Sequence, residues 1–214
     1  MKVYISADIE GVTGVSHWDE TMPGKEVYTE YKEQMTEEVV AACEGALSAG
    51  AKEILVKDAH GTGRNIIAAR LPMKAKLIRG WSQHPFSMLQ ELNQSVKAVI
   101  MIGYHSRAGS NKNPLAHTLS YSTISSLKIN GWYASEFLVN TFTAATVKVP
   151  VVFVSGDEGL CQEIASFNDK INTVAVKRGV GLSTISIHPK LALEKIKEGT
   201  ENAFKGDYSS LCAK

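Results

Sequence analysis

The stretch Val3-Tyr4-Ile5-Ser6-Ala7-Asp8-Ile9-Glu10-Gly11 decides how the rest of the chain is read. Residues 3–7 form a short run rich in apolar, β-branched and aromatic side chains, which predicts a strand. Two acids follow, two positions apart. Side chains alternate along an extended chain, so Asp8 and Glu10 point to one side. Two carboxylates placed together repel each other and lose hydration, and a cation offsets both costs. Acids at this spacing can ligate one metal ion or bridge two. A solvated strand end before a glycine turn is the simpler alternative.

Working outward, three more apolar runs predict strands at 54–56, 96–102 and 149–154. Helical spacing lies between them. Tyr28, Tyr31, Met35, Val39 and Ala42 mark a helix over 27–47, with Gly50 at a C-cap position. Further helices are predicted at 85–92, with Pro85 in the first turn, at 136–146, and from 189 to about 204. Strands alternating with helices give an α/β fold: a three-layer sandwich around a mainly parallel, Rossmann-like sheet. Residues 118–134 break the pattern by alternating polar and apolar side chains around Asn130-Gly131, a strong hairpin signal because both residues tolerate positive φ. An antiparallel hairpin excursion, or a small second lobe, therefore leaves the parallel core. The predicted division is a metal-binding catalytic core over 1–180, including the excursion at about 115–135. A C-terminal helix and tail over 181–214 follow, or the start of a small second lobe. The Gly-, Ser- and Asn-rich segment 103–114 is long for a plain connection and reads as a functional loop.

Composition narrows the function. The 214 residues are 44% hydrophobic and 21% charged, with a formal net charge of +1 and no basic run. Nucleic acid and membrane are therefore not expected partners. No apolar stretch is long enough to cross a bilayer. The N-terminus enters a strand without a signal-peptide core. Cys43, Cys161 and Cys212 are scattered and in no paired motif. Reduced thiols and a cytoplasmic location follow. With no Cys-x-x-Cys pair, a metal here would use carboxylates and histidines. There is no dinucleotide fingerprint, phosphate-binding loop or nucleophile elbow, which lowers the weight of nucleotide enzymes and serine hydrolases.

Each of the first three predicted strands ends in metal-ligand residue types: Asp8 and Glu10, then Asp58 and His60, then His105. Ligands bind outside the carboxyl ends of strands in an open parallel sheet. Two carboxylates and two histidines thus converge on one crevice, a donor set suited to zinc or manganese. Asp58 is placed to hold the other N–H of the His60 ring, with a plain turn residue as the rival reading. His117 either sits on the surface or reaches over the crevice as an acid/base. Glu136, with Ser135 as N-cap, reads from composition as a dipole-favoured first-turn acid. Asp157 and Glu158 face the crevice or a solvated loop. His84 belongs to a turn. His17, beside Trp18 and Asp19, has no clear place.

These segments together resemble the zinc-dependent D-aminopeptidases encoded with bacterial dipeptide transport systems. The resemblance rests on Ser6-Ala7-Asp8-Ile9-Glu10-Gly11, Val56-Lys57-Asp58-Ala59-His60, Pro85-Phe86-Ser87-Met88, Gly103-Tyr104-His105-Ser106-Arg107-Ala108, Ala116-His117-Thr118, Ile129-Asn130-Gly131 with Glu136 after it, and Val149-Pro150-Val151 through Gly156-Asp157. Their order and approximate spacing hold over roughly the first 180 residues. The resemblance implies that Asp8 bridges two zinc ions, with manganese or another divalent metal as the substitute. Glu10, His60, His105 and Glu136 become the remaining ligands, and His117 the catalytic histidine, as acid/base or as nucleophile. The implied activity is release of N-terminal D-amino acids from short peptides or amides through a zinc-bridged hydroxide. The alternatives are another dinuclear amidohydrolase, or a non-catalytic metal- or peptide-binding relative. Also implied are a homo-oligomer, as a closed ring, and a C-terminal segment beyond this sequence that builds much of a second lobe.

Overall fold

The structure, a computed structural model, describes residues 1–213. Lys214, the last residue of the expected tail, lies outside the described residues. Strands are β1 Lys2–Ala7, β2 Glu53–Asp58, β3 Ala75–Ile78, β4 Ala98–Tyr104, β5 Lys128–Ile129, β6 Trp132–Tyr133, β7 Val151–Asp157, β8 Asn172–Val180 and β9 Ser183–Ser186. Helices are α1 Tyr28–Ser48, α2 Glu136–Thr146, α3 Glu158–Phe167 and α4 Pro189–Asn202. Seven strands form one sheet in the order β3-β2-β1-β4-β7-β8-β9, parallel except for the β8–β9 pair. The expected parallel α/β sheet is therefore present.

Alternation along β1 builds the two cores. Val3, Ile5 and Ala7 face one side, where Met35 and Val39 of α1 and Ala192 and Ile196 of α4 pack. Tyr4 faces the other, with Phe137 and Leu138 of α2 and Leu160 and Ile164 of α3. Burial on both faces explains why the central strands read as continuous apolar runs. The winding reverses between β1 and β4, which opens a crevice at their carboxyl ends.

Glycines let those ends close on one another. A Cβ on Gly11 would lie 1.7 Å from the Tyr104 carbonyl oxygen, and Gly103, at φ +69°, would meet the Asp8 carbonyl at 2.3 Å. In their place, the Gly11 N–H donates to the Gly103 carbonyl at 2.8 Å. Only residues without a Cβ permit this backbone-to-backbone approach.

Several sequence expectations change. The helix expected at 85–92 is one 3-10 turn, Ser87–Leu89, because Gln83, Ser87 and Glu91 all take positive φ and interrupt any helix. Strands β3, β8 and β9 and helix α3 were not expected. Their residues are only partly buried on one or both faces, so their apolar pattern is weak. The hairpin at Asn130-Gly131 is real but short, pairing Lys128 with Tyr133 and Ile129 with Trp132. Most of 118–127 is loop.

Candidate metal centre

The crevice gathers all six residues expected at the site. Asp8 and Glu10 leave β1, His60 follows β2, His105 follows β4, His117 ends the long loop, and Glu136 opens α2. They form two groups of possible ligand atoms, Asp8–Glu10–His60 and His105–His117–Glu136. Asp8 belongs to both neighbourhoods. Its Oδ1 lies 3.1 Å from His60 Nδ1, and its Oδ2 lies 3.6 Å from His105 Nε2. Glu136 Oε2 lies 3.8 Å from His105 Nε2, and its Oε1 lies 3.6 Å from His117 Nε2.

The main chain sets each imidazole. His60 Nε2 lies 2.9 Å from the Thr21 carbonyl, His105 Nδ1 lies 3.0 Å from the Ser106 carbonyl, and His117 Nδ1 lies 3.0 Å from the Leu115 carbonyl. A carbonyl only accepts, so the ring nitrogen facing it carries the hydrogen. In a neutral imidazole the opposite nitrogen of each ring is then a lone pair, and it is aimed at carboxylate oxygens. His60 Nδ1, for example, sits 3.1 Å from both Asp8 Oδ1 and Glu10 Oε2. A lone pair against a carboxylate is repulsive unless a proton or a cation lies between them. Glu10 Oε2 and His105 Nε2 are moreover buried with no hydrogen-bond partner. This donor set fits a divalent metal with oxygen and nitrogen ligands.

The D-aminopeptidase family profile matches residues 1–213. The chain belongs to that family. A D-aminopeptidase of Bacillus subtilis (strain 168) is 30% identical over 206 residues, which is 96% of this chain and 74% of that protein. The solved structure of the Zn-dependent D-aminopeptidase DppA from Bacillus subtilis, a self-compartmentalizing protease, superposes with a TM-score of 0.90 at 29% identity, again over 96% of this chain and 74% of that one.

Electrostatics in this D-aminopeptidase family site follow from crowding. Burial, reinforced by the neighbouring Glu10 charge, holds the Asp8 carboxyl well above its ordinary range. Burial also pushes Glu10 upward, but His60 and His105 outweigh it and hold Glu10 well below. Burial pushes His60 down, yet Glu10 and Asp8 raise it well above an ordinary imidazole. His105 is likewise raised against its burial, chiefly by Glu136. His117 is lowered, by burial and then by the charge of His105, whose ring stacks on it at 4.4 Å between centroids.

Behind the crevice lies a polar frame of Lys177, Asn113 and Asp157, of which only Asp157 stood out in the sequence. Lys177 of β8 is buried and donates at 2.6 Å to the carbonyls of Glu10 and Val15, and burial lowers its ammonium to about 8. Asn113 donates to the Glu10 carbonyl at 3.3 Å and to Asp157 at 2.9 Å. Asp157 also accepts from Ser106, beside His105. Asp157 thus lies behind the site instead of lining it, and it caps α3 through the Leu160 N–H. Lys177 lies in a weakly apolar strand with no motif around it, so only the fold reveals it.

Two supporting roles differ from expectation. Asp58 does not touch the His60 ring, whose other N–H is held by Thr21. It accepts instead from the N–H groups of Asn65 and Ile66 and from the Asn65 amide, which in turn bonds the His60 carbonyl. Ser135 occupies the N-cap position of α2 without capping it, and its hydroxyl donates to Glu163 at 2.5 Å. His84 sits in a turn as expected, its ring accepting from the Phe86 N–H. His17 caps a 3-10 turn at Trp18–Glu20, with Glu20 bonding back to the His17 N–H. That His-x-x-Glu capping pattern was the available signal for the segment. The turn sets Trp18 edge-on to His117 at 5.5 Å, and Tyr121 packs on Trp18 at 4.8 Å.

Outside the ligand groups the crevice widens to a cavity of about 640 Å³. Trp18, Met22, Trp81, Met88, Leu119 and Tyr121 supply its apolar surface. Apart from the candidate ligands and His117, no lining residue carries charge. Among the described residues, no helix is long and apolar enough to cross a membrane.

Proposed function

We propose that this chain is a zinc-dependent aminopeptidase that releases N-terminal D-amino acids from short peptides or amides, using two metal ions. The observation that carries the reading is the set of three imidazoles, each pinned by a backbone carbonyl and aiming its other nitrogen at shared carboxylates. Family membership supplies the D-aminopeptidase activity, and the DppA relative is zinc-dependent. Asp8, with one oxygen toward each group, is the proposed bridge. Glu10 and His60 would hold one ion, and His105 and Glu136 the other. Three buried carboxylates with no lysine or arginine in the cavity wall favour two dications over one.

Bound zinc supplies Lewis acidity and a water acidic enough to attack a carbonyl at neutral pH. The protein's own residues do the rest. His117 lines the cavity, has a lowered pKa and presents its Nε2 3.6 Å from Glu136 Oε1. It is proposed to take a proton from the attacking water and then pass it to the leaving amine. Trp18, backed by Tyr121, packs edge-on against its ring and limits water at that end.

The same proposal assigns chemistry to residues 1–180, with 181–214 as C-terminal helix and tail. It includes a homo-oligomer, as a closed ring, for which the self-compartmentalizing DppA relative is the support. A cytoplasmic location accords with the free thiols of Cys43, Cys161 and Cys212. The test is metal analysis of zinc-loaded protein together with hydrolysis of D- and L-alanine amide. Two ions per chain and turnover of the D form are expected. Trace metal, or equal turnover of both enantiomers, overturns the proposal.

A further inference from the structure

Trp81 is a large apolar side chain left 41% exposed, yet it is firmly held. Its indole N–H donates to the Gly61 carbonyl at 2.8 Å, one residue beyond His60. The ammonium of Lys57 lies 3.9 Å from its ring centroid. Lys57 is fixed in turn, donating at 2.7 Å to the carbonyls of Asp58 and Gly80. A buried cation and a backbone bond thus lock an aromatic ring that lines the catalytic cavity. Met88 lies on the same wall system. A surface tryptophan with no task needs neither anchor.

The cavity has two aromatic ends. Trp18 and Tyr121 gather at His117, and Trp81 stands beside the His60 loop. A proton delivered by His117 reaches the nitrogen of the leaving group, so whatever follows the scissile bond lies at the Trp18 end. The residue before that bond then extends the other way. We infer that Trp81, backed by Lys57, forms the subsite for the side chain of the substrate's N-terminal residue and selects an uncharged, apolar side chain such as that of leucine or phenylalanine. This inference rests on the aminopeptidase reading above.

The chemistry of the subsite sets its selectivity. An apolar side chain on Trp81 leaves water on contact with an already ordered surface. An ammonium or guanidinium side chain gains little, because the ring quadrupole already serves Lys57 and that cation repels a second one. Burial lowers Lys57 only to about 8, so it remains charged at neutral pH. A carboxylate side chain finds no lysine or arginine in the cavity wall to pair with.

The test measures kcat/KM of zinc-loaded protein for the amides of D-alanine, D-leucine, D-phenylalanine, D-lysine and D-aspartate. D-leucine and D-phenylalanine amides are expected to exceed D-lysine and D-aspartate amides by about 10–100-fold. Trp81→Ala should lower the leucine-to-alanine ratio by about 10-fold or more, while Trp81→Phe keeps most of it. Zinc content should stay at the wild-type value in both variants. Equal kcat/KM across the series, or a Trp81→Ala loss of the same factor for every amide, overturns the inference. Calorimetric binding of D-leucine amide and D-lysine amide to the zinc-loaded protein is read in parallel. It keeps the inference separable from the aminopeptidase reading: a preference for D-leucine amide that vanishes in Trp81→Ala upholds the subsite even without turnover. No such preference overturns it.

Discussion

Replacing Asp157 with asparagine changes one atom and should disturb both folding and the metal centre. The Asp157 carboxylate accepts four hydrogen bonds: Ser106 N–H at 2.7 Å, Ser106 hydroxyl at 2.5 Å, Asn113 amide at 2.9 Å and Leu160 N–H at 2.9 Å. All four partners are donors, and an asparagine side chain keeps only one acceptor oxygen. If the new amide nitrogen takes the Oδ1 place, the Leu160 N–H is stranded. If it takes the Oδ2 place, the Ser106 N–H is stranded. Asn113 cannot flip freely to help, since its own oxygen already accepts from the Leu115 N–H at 2.9 Å. A stranded buried donor costs about 1–3 kcal/mol, and each bond reduced from charged to neutral acceptor costs about 1 kcal/mol more. The expected destabilisation is about 3–5 kcal/mol, a large share of a typical domain's stability. Urea unfolding followed by two probes measures it. Because Ser106 also supplies the carbonyl that orients His105, zinc affinity should fall by about 10-fold or more. Ser106→Ala removes only the hydroxyl bond and should cost about 1–2 kcal/mol. A loss below about 1 kcal/mol for Asp157→Asn, with unchanged zinc affinity, would refute the reasoning.

Three further outcomes are expected. His117→Ala should lower kcat by about 10²–10⁴-fold while zinc content stays near wild type; loss of metal in step with activity would make His117 a ligand instead. Asp8→Ala should release both ions and Glu10→Ala mainly one, as read by elemental analysis; equal losses from the two variants would remove Asp8 as the bridge. Metal-free protein should lose stability as pH rises above about 6.5, because His60 and His105 have folded pKa values above their unfolded ones, and Asp8, raised as well, sheds its contribution from about pH 4 upward. Their stabilisation is present at low pH and lost as pH climbs through the folded values; Glu10, held low, already contributes fully above about pH 4.5, and His117, lowered, acts in the opposite sense below about 6.5. Thermal melts with and without zinc across pH 5–9 should therefore diverge toward the alkaline side, and parallel curves would contradict this.

Much of this protein was legible in one dimension. The apolar runs of β1, β2, β4 and β7 announced the parallel sheet because strands buried on both faces must be apolar throughout. The ligand types at three strand ends announced the crevice, because parallel strands carry their ends to the same edge. Glu136 needed the family resemblance, since an acid in the first turn of a helix is ordinary. The remainder depends on contacts between residues far apart in sequence. Lys177 meets the Glu10 carbonyl across 167 positions, Asp157 meets Ser106 across 51, and Thr21 orients the His60 ring across 39. None of these pairings leaves a local pattern, because a backbone carbonyl looks the same at every position and a lysine in a weak strand looks solvated. The sequence by itself therefore determined the four central parallel strands and the kinds of candidate ligand. Only the tertiary structure decided which nitrogen each histidine presents, which carboxylate reaches both groups, and which tryptophans line the cavity, since each of these follows from a partner that folding alone brings near.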